Sequence, residues 1–288
     1  MSAVSHALIA FLGARAVPGV EEVVDGRYRR SLRLAHGAGT VELAARDGHV
    51  QTRFALEDDR DLQSAERCTR ALLDLDADTR AIDEALGRDA LLRPLVCATP
   101  GRRVPGTVDG HELAVRAVLG QQVSLAGAAT LAARLVVAHG EPLAQPLGGV
   151  THLFPTAAAL AGADAGTLAM PAARRRALLG LAGALAAGDV RLDPGGDHEE
   201  ASRRLLALPG IGPWTVAYVR MRALRDPDAF LASDLGVRHA LQRLGVDGRP
   251  AAAVRVAERW RPYRAYAVQH LWASLADQKT RSRVVRTP

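Results

Sequence analysis

A seven-residue stretch at positions 208–214 constrains the fold of this chain more than any other segment. Apolar residues recur at helical spacing on both sides of it, over 199–208 and 214–224. Pro209, followed by a glycine, ends the first predicted helix, and Pro213 begins the second where its missing N–H costs nothing. The sequence therefore predicts a helix–hairpin–helix. Its outward N–H groups beside a helix N-terminus would suit one phosphate of a nucleic acid backbone.

The net positive charge of the chain indicates a polyanionic partner. The alternative is an arginine-rich proteome, which alone would give the same excess of basic over acidic residues. The formal net charge is +6, and Lys279 is the single lysine, so every other cationic side chain apart from histidine is arginine. Arginine suits bidentate contacts to phosphate. No uncharged apolar stretch reaches the ~18 residues that a membrane span needs. Two cysteines, Cys68 and Cys97, cannot build a four-cysteine iron–sulfur site, and such low usage fits the cytoplasm.

Hydrophobic patterning divides the chain into a strand-containing beginning and a helical remainder. Alternation predicts strands near 28–34, 40–43 and 49–56, separated by glycines, with an initial helix packed against them. Helical spacing dominates from 61 to 275, interrupted by a linker over 142–155. We therefore predict an α+β protein, mainly α, in which a small N-terminal antiparallel sheet domain precedes two helical domains.

Asp234 follows Gly212 by 22 residues, and a phosphate-gripping hairpin with an aspartate at this spacing resembles the helix–hairpin–helix DNA glycosylase superfamily. Four further stretches resemble the 3-methyladenine DNA glycosylase II type, which repairs alkylated DNA. They lie at 11–17, 115–124, 168–171 and 259–267. The resemblance covers nearly the whole chain and implies duplex DNA as the partner, in the cytoplasm at the nucleoid.

The resemblance also implies a division into three domains. The first, residues 1–60, would be the sheet domain. Residues 111–209 would form a helical domain leading into the hairpin at 208–214. Residues 61–110 together with 210–288 would form the helical domain that completes the active-site cleft.

Asp234 is the candidate catalytic residue. Excision of a base breaks a C1′–N bond through an oxocarbenium-like sugar, which a nearby carboxylate stabilises. Asp234 is predicted at a helix N-terminus, where the helix dipole favours a negative charge, and Arg238 one turn later would act in the same direction. The alternative interpretation is an ordinary helix cap, and one residue can serve both purposes.

Alkylated purines such as 3-methyladenine and 7-methylguanine carry positive charge, and aromatic faces attract cations. The resemblance places four aromatic residues at the base pocket, with Leu235 where the family has a tyrosine. The four are Phe11, Trp214, Tyr218 and Trp272. The alternative for each is ordinary core packing.

We assign DNA contacts to the hairpin, to Arg238 and to a helix-breaking stretch before residue 123. The resemblance places on Gln122 the wedge that fills the gap left by the extruded base. It also implies a monovalent cation held by hairpin carbonyl oxygens. The assigned DNA-binding residues are Gly210, Gly212, Pro213, Gln121, Gln122 and Arg238, and the cation ligands are Leu206, Leu208 and Ile211.

The position that holds a Schiff-base lysine in bifunctional relatives carries Trp214. The sequence therefore predicts a monofunctional glycosylase that leaves an abasic site. We also expect a monomer that requires no cofactor. Two alternatives stay open: a non-catalytic helix–hairpin–helix DNA-binding protein, and a glycosylase for a different base such as uracil or an oxidised purine.

Overall fold

An antiparallel sheet of four strands begins the fold, with the strands in chain order. The computed structural model describes residues 2–46, 49–193 and 195–284. Helix α1 packs against the sheet and buries Leu8 and Leu12 against Tyr28 and Leu43, which face each other across β2 and β3. These elements are α1 (Ser2–Gly13), β1 (Glu21–Val24), β2 (Arg27–Arg33), β3 (Ala38–Arg46) and β4 (His49–Leu56).

The remainder of the chain is mainly helical and contributes two further cores. One lies among α5, α8 and α10, and the other surrounds the buried Trp260 between α11 and α13. The helices are α2 (Leu62–Leu73), α3 (Thr79–Leu86), α4 (Arg93–Ala98), α5 (Gly110–Leu119), α6 (Leu125–His139), α7 (Ala157–Ala161), α8 (Ala172–Ala186), α9 (His198–Leu206), α10 (Pro213–Arg222), α11 (Leu235–Arg243), α12 (Pro250–Ala257) and α13 (Arg264–Val284). The predicted fold class, α+β and mainly α, is confirmed. None of the described helices is long and apolar enough to cross a membrane.

The segment predicted as a linker over 142–155 is instead a two-stranded antiparallel hairpin, β5 (Glu141–Leu147) and β6 (Val150–Leu153). Prolines at 142 and 146 lack the N–H that a strand ladder uses, so the local pattern favours a linker. Tertiary packing overrides that local pattern, because β6 lies against β2. In addition, three apolar side chains of the hairpin bury one another: Leu143, Val150 and Leu153. Strand β1 and helix α4 are further elements that the sequence pattern did not predict.

A buried network of four charges joins the sheet to α5. Arg30 on β2 donates to Glu21 on β1 at 3.2 Å and to Glu112 on α5 at 2.8 Å. Arg116 pairs with the same two carboxylates, at 2.9 and 2.6 Å, and also donates to the carbonyl of Arg15 at 2.5 Å. The network therefore fixes the chain just after α1 relative to α5.

Candidate active site

The predicted helix–hairpin–helix is present, with α9 ending at Leu206 and α10 beginning at Pro213. Gly210 has a φ of +84°, and a Cβ there would lie 2.7 Å from the Cβ of Ala177, so both conformation and packing require glycine. Gly212 has a φ of −102°, and a Cβ there would meet nothing within 4 Å. The fold does not require glycine at 212, and its small size leaves the outer surface of the hairpin open to a partner.

Gln121 and Gln122 have different surroundings. The Gln121 amide donates to the carbonyl of Gly210 and to the hydroxyl of Thr215, both at 3.0 Å, so it ties the α5–α6 loop to the hairpin. Gln122 is exposed and has a left-handed φ of +57°. Of the two glutamines, Gln122 presents its side chain to solvent.

A channel of about 340 Å³ begins beside the hairpin and runs between α5, α6 and α10. Trp214, Tyr218 and Arg222 line it from successive turns of α10, and eight residues of helix correspond to about 12 Å. Asp234 and Trp272 complete its outer end. The small residues of the facing helices keep it open: Ala117 and Gly120 from the α5 side, and Ala128, Ala129 and Ala132 from α6.

Asp234 is the N-cap of α11, as predicted, and both of its carboxylate oxygens are held. One oxygen accepts the Val237 N–H at 2.9 Å and the indole N–H of Trp272 at 2.8 Å. The other accepts the indole N–H of Trp214 at 2.9 Å. Two aromatic side chains and a helix terminus therefore orient one carboxylate at the outer end of the channel.

The predicted pocket residues are not all in the channel. The Trp214 and Tyr218 rings stack with centroids 5.3 Å apart and planes 10° apart, and with Trp272 they form its aromatic wall. Phe11 lies outside the set of described residues that line the channel, and its ring stacks on Trp272 at 6.4 Å. Leu235 is 64% exposed and also outside that set, because it follows Asp234 at the start of α11 and points to solvent.

Arg15 and Arg222 line the channel, and the sequence reasoning missed both. Arg222 is buried and donates to the Tyr218 hydroxyl at 2.8 Å and to the carbonyls of Pro105 and Gly106 at 2.7 Å. The Arg15 guanidinium lies 3.6 Å from the centroid of the Phe11 ring. Arg222 could have been found, since it continues the four-residue spacing of Trp214 and Tyr218. Arg15 lies within the 11–17 stretch that carries the family resemblance, but no spacing in the local sequence singles it out.

The two guanidinium groups alter the chemistry of the tyrosine between them. Burial raises the pKa of Tyr218, but the positive charges of Arg222 and Arg15 more than offset this and lower the pKa to about 8. Burial lowers the pKa of Arg15, since a charged group is disfavoured away from water. The inner part of the channel therefore holds two guanidinium groups beside a tyrosine that ionises more readily than usual.

Arg238, one turn after Asp234, contacts a backbone carbonyl. Its Nε–H donates to the carbonyl of Gly248 at 2.6 Å, in the loop that follows α11. A guanidinium group has five N–H donors, so this hydrogen bond leaves others for a DNA phosphate. The assignments of Arg238 to DNA contact and to the support of Asp234 stay predictions.

The predicted cation ligands lie where α9 passes into the hairpin. The Leu208 carbonyl accepts the Ile211 N–H at 3.1 Å, and Leu206 is the last residue of α9. A carbonyl oxygen has two lone pairs, so this hydrogen bond leaves Leu208 one for a cation. Within the described part of the chain, no group of three or more His, Cys, Asp or Glu side chains is placed to hold a metal ion.

Comparisons with known proteins agree with this architecture. Residues 4–109 match the model of the AlkA N-terminal domain. The chain is 38% identical over 275 residues to DNA-3-methyladenine glycosylase 2 of Escherichia coli (strain K12), covering 92% of each chain. The structure of a 3-methyladenine DNA-glycosylase from Archaeoglobus fulgidus superimposes with a TM-score of 0.78 at 23% identity, over 93% of each chain.

A longer relative also matches. It is the probable bifunctional transcriptional activator/DNA repair enzyme AlkA of Mycobacterium tuberculosis (strain CDC 1551 / Oshkosh), 52% identical over 264 residues. The match covers 92% of this chain and 53% of the relative, so the chain spans about half the length of that protein.

Proposed function

This chain belongs to the AlkA family of DNA-3-methyladenine glycosylases, and from that premise we propose that it is a monofunctional DNA N-glycosylase. It flips alkylated purines such as 3-methyladenine and 7-methylguanine out of duplex DNA and releases them, leaving an abasic site. The observation that carries the proposal is the Asp234 carboxylate, held by the two indole N–H groups at the outer end of an aromatic-walled channel. The test is chromatography of the bases freed from alkylated duplex DNA.

The geometry suits a dissociative reaction. The flipped base lies against the Trp214–Tyr218 wall, whose ring faces attract its positive charge. A cationic base needs little acid catalysis, because it leaves as a neutral molecule with the electron pair of the C1′–N bond. Asp234 stabilises the sugar cation that remains. Water then adds to C1′ and loses a proton, which completes the abasic site.

The hairpin grips one backbone phosphate through main-chain N–H groups, independently of base sequence. We expect Gly212→Val to weaken binding to every DNA sequence alike, about tenfold or more, because a branched side chain blocks the approach that Gly212 leaves open. The measurement is the Kd for duplexes with an abasic analogue in several sequence contexts. Gly180→Val is the matched control, since a Cβ there also meets nothing within 4 Å and the residue is exposed on α8, outside the hairpin at 208–214.

An unchanged Kd for a folded Gly212→Val protein would show that the phosphate grip lies elsewhere. Gly210 cannot serve in this test. A side chain there collides with Ala177 and strains the backbone, so the hairpin itself would be lost.

Gln122 fills the gap in the duplex left by the flipped base, since it is exposed beside the channel mouth. We expect Gln122→Ala to lower base release from duplex DNA several-fold more than from single strands, which have no stack to fill. The measurement is the ratio of the two rates on one alkylated sequence. Gln121→Ala is an informative comparison, because losing the contact to Gly210 disturbs the hairpin on both substrates. An equal loss on both substrates for Gln122→Ala would contradict the wedge assignment.

The product is an abasic site in an intact strand. A lyase needs a neutral amine within reach of C1′, and guanidinium groups stay protonated. Lys279 is the single lysine and lies in α13, beyond Trp272. We expect nicks in a methylated duplex only after hot alkali, when one reaction is divided between neutral buffer and alkali. Nicks in the neutral half, or a borohydride-trapped adduct, would contradict this prediction.

The enzyme works as a monomer on duplex DNA in the cytoplasm and requires no redox or nucleotide cofactor. A monovalent cation would be held by the carbonyls of Leu206, Leu208 and Ile211, where it would steady the hairpin against the phosphate. Support for the cation comes from the geometry of the hairpin turn, in which Leu208 keeps one carbonyl lone pair available.

A further inference from the structure

The channel extends deeper than its aromatic wall. Trp214 and Tyr218 are one turn apart, and Arg222 lines the channel one turn farther in. The facing helix α6 gives a similar depth for the channel, since its lining residues run from Leu125 to Ala132, seven residues or about 10 Å. A flat base stacked on the Trp214–Tyr218 wall therefore leaves an inner compartment ahead of it.

The lining of this inner compartment combines two unlike kinds of side chain. Val17, Leu113 and Ala132 are apolar and buried. Arg15, Arg116 and Arg222 are cationic, and of these Arg116 is already paired with Glu21 and Glu112. A group that fits both kinds of lining has a short aliphatic part and a hydrogen-bond acceptor at its end.

Arg222 is buried and Arg15 is partly buried, and neither guanidinium group has the carboxylate partners that the buried Arg30 and the largely buried Arg116 have. Arg30 and Arg116 each pair with both Glu21 and Glu112. Within the described residues, Arg15 and Arg222 make no ion pair, and the acceptors they do have are carbonyls and one hydroxyl. Buried charges are normally paired, so an anionic group entering the compartment would supply the missing partner.

We propose that the inner compartment accepts the arm of a carboxyalkylated purine, with the arm's carboxylate on Arg15 and Arg222. This inference rests on the proposed glycosylase function and extends its substrates to bases with an anionic arm. An arm on a purine ring nitrogen such as N7 leaves the ring cationic, as a methyl group does. The C1′–N bond breaks with its electron pair going to the base, water adds to C1′ and loses a proton, and the arm is released unchanged.

A competition between three lesions tests the proposal. Duplex DNA is treated separately with dimethyl sulfate, diazoacetate or iodoacetamide, which place methyl, carboxymethyl and carbamoylmethyl groups on guanine N7. Equal amounts of the three lesions are mixed, and the free bases are measured by mass spectrometry against an enzyme-free blank. We expect the carboxymethyl base to be released at least as fast as the methyl base. The neutral carbamoylmethyl base, similar in size, should be released about tenfold more slowly than its anionic counterpart.

Variants at Arg15 separate charge from volume. Arg15→Met should lower the ratio of carboxymethyl to methyl release about tenfold, and Arg15→Lys should restore most of it. Arg255→Met removes an exposed charge on α12 and should leave the ratio unchanged. Thermal unfolding of each variant verifies that it is folded.

Two results would overturn the proposal while leaving the glycosylase function intact. One is release of methylguanine by the wild type with carboxymethylguanine left in the DNA. The other is an unchanged ratio in folded Arg15→Met. If the wild type released none of the three bases, the proposed function and this inference would both fail.

Discussion

Asp234→Asn is expected to lower base release about 10²–10³-fold while the affinity for DNA stays near that of the wild type. The asparagine keeps the shape of the side chain and removes the negative charge that stabilises the sugar cation. It keeps one oxygen for the Val237 N–H, and asparagine caps helices as well as aspartate does, so α11 should remain folded. Its NH2 group cannot accept the indole N–H of Trp214, so loss of that hydrogen bond adds to the effect of the lost charge. The measurements are single-turnover release of 7-methylguanine and the Kd for an abasic-analogue duplex.

The matched control is Asp78→Asn. Asp78 is an exposed N-cap, of α3, and accepts the Ala81 N–H at 3.1 Å, but it is outside the described lining of the channel. The same substitution there should leave base release unchanged. Activity of Asp234→Asn within a few-fold of the wild type would return Asp234 to the role of an ordinary helix cap.

Arg30→Met is expected to destabilise the protein by about 3–5 kcal/mol, the typical cost of breaking a buried ion pair by removing one partner. The four charges of the network sum to zero, and the substitution leaves Glu21 and Glu112 with Arg116 as their one remaining arginine. Both carboxylates are only 3% exposed, so water cannot replace the lost partner. The measurement is the denaturant midpoint of unfolding.

Arg33→Met, on the same strand, is the control for this substitution. Arg33 pairs with Glu141 at 2.6 Å, but the two side chains are 36% and 63% exposed, and such a pair contributes about 0–1 kcal/mol. Equal midpoints for the two variants would show that the buried network contributes no more than a surface ion pair. Because Arg116 also holds the carbonyl of Arg15, we expect loss of the network to loosen the channel as well.

The sequence alone determined the parts of this protein that depend on local chemistry. Proline and glycine fix the ends of two helices, so the hairpin at 208–214 was predictable, and the structure places α9 and α10 on either side of it. Asp234 caps the following helix because a short carboxylate can reach the N–H groups of its own first turn. The fold class followed similarly from alternation in the first 56 residues and helical spacing beyond them.

Only the tertiary structure decided which side chains meet. Arg15 and Arg222 are some 200 residues apart in the chain, and they share a channel because α5 packs against α10 and Arg116 of α5 donates to the carbonyl of Arg15. The amide of Gln121 contacts the hairpin and Arg238 contacts the carbonyl of Gly248, and the local sequence predicts neither contact. The β5–β6 hairpin forms against β2 despite its prolines. Periodicity and capping act within one or two helical turns, whereas the partners of a buried polar group come from wherever packing places a donor or an acceptor.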